Sequence, residues 1–357
     1  MKSKKIGEIR QEIDKIDTKL VKLINSRGSL SRRIGEIKRK KTQPVYRPER
    51  ESEVYSRVIK KNEGPIRDES LIAVYREIMS ACISLERPLI IAFLGPEFTF
   101  THLASIKKFG KSVKYLSCDS IPEVFKEVEK ANADYGVVPI ENSTEGAVNH
   151  TLDMFVSSTL IICSEIYLPV SHSLLARGGD IQKVRKIYSH PHVFGQCRGW
   201  IEKNVPRVKL CETLSTAKAA EIAGKEAGSA CLAGEMAAGK YKLKVLASNV
   251  EDENMNITRF LVVGKQASKM SAKDKTSIMF SVKDKPGVLH DMLSSFKNKK
   301  INLTKIESRP SKKGLWKYYF FIDLEGHAET PKIKRAIMDL EKKCHFIKIL
   351  GSYPAGQ

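Results

Sequence analysis

Residues 251–264 read EDENMNITRFLVVG. The second half, Phe260 to Gly264, is a short apolar run ending in glycine, the pattern of a buried strand. Thr258 and Arg259 stand just before it, so a hydroxyl and a fixed cation fall at the mouth of that strand. Open α/β sheets take ligands at strand ends, which makes the pair a site candidate. The plainer alternative is a surface arginine and a threonine opening an edge strand. The rest of the chain decides between them.

Upstream, from Leu89, strand-like and helical signals alternate. The strand-like runs are LIIAFL (89–94), VKYLSC (113–118), YGVVPI (135–140), LIICSEIYL (160–168), VRKIYS (184–189) and VKLCET (208–213), with helical stretches at 121–130, 146–156 and 215–225. Such alternation predicts an α/β domain with a largely parallel sheet. Polar loops follow the strands: GPEFTFTH (95–102), ENSTEG (141–146), SHPHVFGQC (189–197) and NITRF. ENSTEG offers a carboxylate, an amide and two hydroxyls at a helix start, although Ser, Thr and Asn are also ordinary helix caps. His190, His192 and Cys197 lack the spacing and carboxylate support of a metal site, and no acyl-transfer motif accompanies them.

Residues 6–38 read as one long helix. Ile6, Ile9, Ile13, Ile16, Leu20, Leu23, Leu30, Ile34 and Ile37 fall at the three-and-four spacing of a seam that packs on other helices. Arg27 holds the seam position between Leu23 and Leu30, where a guanidinium is costly unless an anion meets it. Lys38 follows on nearly the same azimuth, roughly 16 Å along the axis, which leaves room for one small dianion. Arg10 lies roughly 25 Å from Arg27 and about 100° round the helix, so it reaches that ligand only from a second protomer. Pro44 and Pro48 then separate this helix from two more, near 49–61 and 68–85.

Downstream, QASKMSAKDKT (266–276) is polar and reads as a linker. Beyond it the order strand, helix, strand, strand, helix, strand describes a ferredoxin-like βαββαβ unit. Pro286 and Gly287 suit a turn into a helix whose first N–H groups could receive a carboxylate.

With 357 residues the chain is too long for one ordinary core. No apolar stretch follows the basic amino terminus, and no run approaches the roughly 18 residues of a membrane span. The seven cysteines are scattered and never spaced C-x-x-C, which points to reduced thiols in a cytoplasm and not to disulfides or zinc. A net charge of +21 invites a nucleic-acid reading. It is, however, spread over both end regions without a compact basic and aromatic stripe, which suits a solvated surface that favours anionic metabolites.

The segments IRQEIDKID, INSRGSL, RRIGEIK, PVYRPERE and REIMSACISLE resemble the all-helical chorismate mutases, dimers of three-helix chains whose long helices serve both active sites. The resemblance implies that Arg10 from a second protomer, Arg27 and Arg50 hold the substrate carboxylates. It puts Lys38 and Glu86 at the ether oxygen, and Glu51, Arg47 and Cys82 on the hydroxyl side. Arg47 stands where many relatives have Asp, Cys82 where some have Ser, and Glu86 where Gln is common. An ionised carboxylate would repel the ether oxygen, so Glu86 is expected to work protonated. The rearrangement of chorismate needs a folded conformer and cations at a developing enolate-like oxygen, and no nucleophile.

In the same way GPEFTFTH, PIENSTEG, SHPHVFGQC, STAKAA and NITRFLVVG, in that order, resemble the prephenate dehydratases, whose two α/β subdomains enclose a cleft like that of a type 2 periplasmic binding protein. The resemblance ties Thr258 most closely to activity, with Arg259 and Phe260 beside it. Glu141, Asn142, Ser143, Thr144 and Gln196 are expected to line the cleft, and Phe98 to narrow its entrance. Thr258 would donate a hydrogen bond to the leaving hydroxyl and Arg259 would hold a carboxylate. DKPGVLHDML and ESRP (307–310) resemble the ACT module, which takes phenylalanine between paired copies near Gly287, Val288 and Leu289 and near Glu307, Ser308, Arg309 and Pro310.

The expectation is a cytoplasmic enzyme of phenylalanine synthesis, multidomain in fold: an all-α mutase (1–88), an α/β dehydratase (89–265), a linker (266–276) and an ACT domain (277–357). Its small-molecule partners are chorismate, prephenate and L-phenylalanine as effector. It is expected to be at least a homodimer, with no cofactor, metal, nucleic acid or membrane. Two alternatives remain: a metabolite-sensing regulator, which would need a helix-turn-helix in place of one long helix, and a monofunctional dehydratase with an inactive mutase domain.

Overall fold

The computed structural model describes residues 2–41, 43–144, 146–253, 256–282, 286–310 and 318–356. The chain divides into two compact units, Met1–Ile90 with Lys108–Lys114, and Ile91–Lys107 with Tyr115–Gln357. Asp284 and Lys285 of the DKPGVLHDML motif, and Glu145 of ENSTEG, lie outside the described residues.

The first unit is helical: α1 (Lys2–Lys40), α2 (Pro48–Lys60) and α3 (Asp68–Glu86). Within it α1 meets α3 over small residues, not over its apolar seam. Gly28 and Gly35, two turns apart, are buried, and a Cβ at Gly35 would lie 2.8 Å from the Glu86 Cα. That spacing is below any tolerated contact, so glycine is what lets the helices close. The nine seam residues from Ile6 to Ile37 remain 48–66% exposed. The expectation of a seam packed on other helices is therefore not met inside one chain.

The second unit runs β1 (Ile90–Leu94), α4 (Phe100–Phe109), β2 (Lys114–Cys118), α5 (Ile121–Glu129), β3 (Tyr135–Asn142), β4 (Gly146–Ala147), α6 (Asn149–Ser157) and β5 (Ile161–Pro169). It continues with β6 (Ser173–Ala176), β7 (Lys186–Ser189), α7 (Pro191–Gln196), α8 (Arg198–Asn204), β8 (Lys209–Glu212), α9 (Thr216–Lys225), β9 (Ser229–Ala233), α10 (Met236–Tyr241), β10 (Lys244–Ala247) and β11 (Ile257–Gly264). The strands form two sheets, ordered β2-β1-β3-β11-β5, with β4 beside β3, and β10-β6-β9-β7-β8. The chain leaves the first sheet after β5 and returns to it at β11. The two crossovers are bonded to each other, Val170 N donating to Asn256 O at 2.8 Å and Val250 N to His172 O at 2.9 Å.

Both sheets are mixed, which corrects the expectation of a largely parallel one. β1–β3, β7–β8 and β7–β9 are parallel, but β11 is antiparallel to β3 and β5, and β6 to β9 and β10. Strands β6 and β11 each follow a crossover, and only a helical return between neighbouring strands imposes parallel pairing.

The rest of this unit is β12 (Asp274–Ser281), α11 (Val288–Lys297), β13 (Leu303–Pro310), β14 (Tyr318–Glu325), α12 (Pro331–Glu341) and β15 (Phe346–Pro354). The βαββαβ order is as expected, with sheet order β13-β14-β12-β15. β12 starts three residues inside the stretch read as a linker, and its Lys275 and Thr276 are buried. Lys275 reaches Glu165 of the neighbouring sheet, whereas Thr276 Oγ1 donates to Gly326 O within its own domain. β15 lies flush on β5, since a Cβ at Gly351 would collide with the Ile162 carbonyl. No helix among the described residues is long and apolar enough to cross a membrane, and all seven cysteines are free thiols.

Candidate active sites

Between the two sheets lies a cleft of about 800 Å³ lined by Ser143, Thr144, His192, Gly195, Gln196, Glu251, Asp252, Glu253 and Asn256. Three elements deliver these groups: the end of β3, the end of α7 and the second crossover. Thr258, at the start of β11, sits behind the lining and is buried. Its Oγ1 receives a hydrogen bond from Asn142 Nδ2 at 2.8 Å. The same nitrogen donates to Asn256 Oδ1 at 2.6 Å, and Asn256 Nδ2 donates to Gln196 Oε1 at 3.2 Å. Asn142 Oδ1 accepts from Thr144 N at 3.0 Å and from Thr144 Oγ1 at 2.6 Å. Four expected residues thus converge, and Ser143 is bound in beside them, its Oγ accepting from Ile257 N at 2.9 Å.

Asn256 and His172 complete the arrangement and were not singled out from sequence. His172 Nε2 lies 3.0 Å from Gln196 Oε1, and its ring meets Phe100 edge-on at 5.4 Å. Asn256 stood inside the quoted NITRF motif and could have been found there. His172, in a crossover without a motif, carried no signal.

Arg259 does not join the cleft. Successive residues of a strand face opposite sides, so with Thr258 turned to Asn142 the guanidinium points at the C-terminal sheet. There Nε lies 2.8 Å from Glu165 Oε2, NH1 2.5 Å from Asp323 Oδ2, and NH2 3.0 Å from Tyr353 OH. Burial alone would weaken its charge, but Tyr353, Asp323 and Glu165 outweigh it and hold Arg259 cationic above its ordinary range. Lys275 joins through Glu165 Oε1 at 2.8 Å, and those carboxylate contacts keep it charged against its own burial. The guanidinium expected to hold a substrate carboxylate is thus committed to this ion cluster instead. Phe260, also expected in the cleft, is a fully buried core side chain. Glu141 faces the same side as Arg259, 2.9 Å from Lys305 Nζ and 3.7 Å from Arg259 NH1.

Phe98, expected at the cleft entrance, is not among the residues that line the cleft; it adopts φ 70°, a left-handed backbone that bulky residues rarely take. Its N–H donates to His102 Nδ1 at 3.0 Å, and Lys240 Nζ lies 4.5 Å over its ring. Burial holds the His102 ring below its ordinary pKa. The Cys197 thiol is pushed up to about 12 by burial and then by Glu251 and Asp252, so it is no thiolate nucleophile. Among the described residues no group of three or more His, Cys, Asp or Glu is placed to hold a metal.

In the helical unit, the two residues expected at an ether oxygen meet each other: Lys38 Nζ lies 2.8 Å from Glu86 Oε2 and 2.7 Å from Val45 O. Arg27 sits on the same face, with a buried NH1 that has no hydrogen-bond partner. A buried guanidinium nitrogen without a partner is what a small anion would satisfy. Cys82 is buried in α3. Glu51 is occupied by Tyr46 OH at 2.8 Å and Lys108 Nζ at 2.6 Å. Arg47 binds Gln43 and Arg50 binds Glu53, both away from Arg27 and Lys38. Arg10 is exposed on α1 and is not brought to them.

In the C-terminal sheet Gly287 takes φ 78° ahead of α11, and Leu289 is exposed. Glu307, Ser308, Arg309 and Pro310 lie on the edge strand β13. Arg309 NH2 reaches Asp153 Oδ1 of α6 at 3.1 Å.

Three family models match the chain: chorismate mutase type II over residues 9–87, prephenate dehydratase over 91–268 and ACT domain over 276–342. The bifunctional chorismate mutase/prephenate dehydratase of Aquifex aeolicus is 49% identical, covering 98% of this chain and 98% of its own. The protein of that name from Pseudomonas aeruginosa is 44% identical, over 97% and 96%. The crystal structure of prephenate dehydratase in complex with L-Phe from Arthrobacter aurescens superposes with a TM-score of 0.69 at 31% identity, over 74% of this chain and 90% of its own.

Proposed function

The chain belongs to the family of bifunctional chorismate mutase/prephenate dehydratases, and on that premise we propose how its residues divide the work. It rearranges chorismate to prephenate and converts prephenate to phenylpyruvate, carbon dioxide and water, with an ACT domain that fits control by phenylalanine. For the division of the chain we keep 1–88, 89–265 and 277–357, with the linker of 266–276 ending in practice where β12 begins.

For the first step, Arg27 and Lys38 hold the substrate in its folded conformer and stabilise the charge that develops on the ether oxygen as the carbon–oxygen bond breaks. Lys38 and Glu86 must part to admit that oxygen. Arg10 completes the pocket from a second protomer. The uncovered apolar seam of α1 and the exposed edge of β13 support a homodimer. Seven free thiols support a cytoplasmic setting.

For the second step, the electrons of the bond to the departing carboxylate flow into the ring as the ring hydroxyl leaves, and one proton turns that hydroxide into water. Thr258 donates a hydrogen bond to the leaving oxygen. Among the described residues the cleft lining holds three carboxylates and no Lys or Arg. The substrate carboxylates therefore meet the amides and hydroxyls of Ser143, Thr144, Gln196 and Asn256. The observation that carries this reading is the Asn142–Thr258 bond at the cleft.

A coupled assay tests it: chorismate is added, and its loss and phenylpyruvate formation are followed separately, with and without phenylalanine. Chorismate consumed and phenylpyruvate formed, both slowed by phenylalanine, is the expected result. Chorismate untouched while added prephenate reacts would overturn the mutase assignment alone.

A further inference from the structure

We propose that Asn256 and His172 are positioning residues of the dehydratase step, which fix the direction in which Thr258 uses its hydroxyl. The inference rests on the reading of Thr258 as the partner of the leaving group, and it follows from hydrogen-bond polarity. A backbone N–H can only donate, so the bond from Thr144 N makes the atom of Asn142 that it meets the amide oxygen. The other end of Asn142 is then its NH₂ group, whose two protons go to Thr258 Oγ1 and Asn256 Oδ1. The Asn256 oxygen being taken as acceptor, its nitrogen donates to Gln196 Oε1. That oxygen in turn makes His172 Nε2 a donor, which sets the histidine tautomer.

The outcome at Thr258 is specific. Its oxygen accepts from Asn142, so its one proton is the group it has left to offer. A reversal of Asn142 would let Thr258 donate to an amide oxygen and present only lone pairs to a leaving hydroxyl, and a reversal of Asn256 would set its NH₂ group against that of Asn142 and remove the acceptor that holds Asn142 in place. The two residues proposed here also occupy the two crossovers, Asn256 in one and His172 in the other, whose backbones are bonded at Val170–Asn256 and Val250–His172. The line therefore runs from His172 in one crossover to Gln196 of the second sheet's layer, on to Asn256 in the other crossover, and so to Asn142 and Thr258 of the first sheet.

Kinetics of the full-length enzyme test this. Asn256→Ala and His172→Phe are expected to lower kcat for prephenate about 10- to 100-fold with KM changed only a few-fold, the scale of a misplaced catalytic group. Mutase turnover of the same preparations is expected to be unchanged. His172→Gln, which keeps an N–H near the position of Nε2, should restore most of the rate that His172→Phe loses. Asn256→Asp still accepts from Asn142 but donates to Gln196 only when protonated. Its kcat should therefore rise as pH falls through that carboxyl, relative to the parent enzyme. Equal losses in His172→Gln and His172→Phe, or a pH profile of Asn256→Asp parallel to the parent, would overturn the proposal. If Thr258→Val leaves kcat intact, the underlying reading of Thr258 fails instead.

Discussion

Thr258 and Arg259 are neighbours with unrelated surroundings, one bonded to the amide of Asn142 and the other sealed among Glu165, Asp323 and Tyr353. Thr258→Val should lower dehydratase kcat by about 10²–10⁴-fold, the range for losing an aligned donor at a leaving group. Thr258→Ser, which keeps the hydroxyl, should stay within about tenfold, as steady-state assays with prephenate would show. In the mutase, Glu86→Gln keeps an oxygen for Lys38 and supplies an N–H for the ether oxygen. If the parent activity falls as pH rises, the variant's profile should be flat, and identical profiles would sink the idea. His102 gives a stability test. Its pKa is lowered by burial while Nδ1 accepts from Phe98, so the folded state favours the neutral ring. That contribution is complete above the unfolded value of about 6.5 and is lost as pH falls below it. Melting temperature should therefore drop between about pH 7 and 5.5 more steeply for the parent than for His102→Gln. Most of the cleft was legible at this scale, because Asn142, Ser143, Thr144 and Gln196 fall in polar runs after strands. Arg259 was misread for want of one step, since strand alternation already separates adjacent residues onto opposite faces.

At the level of elements, α1 is the informative case. Its three-and-four spacing marks the helix and its seam, and the helix of Lys2–Lys40 extends four residues before and two beyond the expected 6–38. What the spacing did not reveal was which face the chain itself covers. Glycine carries no hydrophobic signal, so the Gly28–Gly35 face against α3 was invisible until the helices were placed. A charge in the seam tests the proposed homodimer: sedimentation equilibrium should find the parent a dimer and Leu23→Asp a monomer without mutase turnover, with helix content retained. A dimer that persists would show that other contacts hold the copies together. The mixed sheets were missed for a related reason. Alternation of strand and helix reports βαβ returns, whereas β6 and β11 follow crossovers whose direction no local pattern encodes.

For the molecule as a whole, the layer between the dehydratase sheet and the C-terminal sheet is unusually charged for a buried seam. Lys305 on β13 pairs with Glu141, next to Asn142, while Arg309 on the same strand pairs with Asp153 of α6. A shift of residues 307–310 on binding an amino acid would therefore pull on Glu141. Lys305→Met should retain dehydratase turnover without phenylalanine and raise the concentration needed for half-inhibition by about tenfold, the size of an ordinary coupling energy. An unaltered dose–response would exclude that path. Arg259→Met, which leaves Asp323 without its guanidinium and Glu165 with Lys275 as its remaining cation, should cost about 3–5 kcal/mol in calorimetry. The strand that joins these two faces also has an arithmetic of its own. Since the sides of β11 are assigned by odd and even count, one residue inserted between Thr258 and Arg259 would bring the cation round to the cleft side and leave the ion cluster without its centre. Two inserted residues would restore the parity. Whether this strand serves catalysis or the C-terminal domain at a given position is thus settled by counting, and single-residue length changes are the ones its relatives should be least able to tolerate.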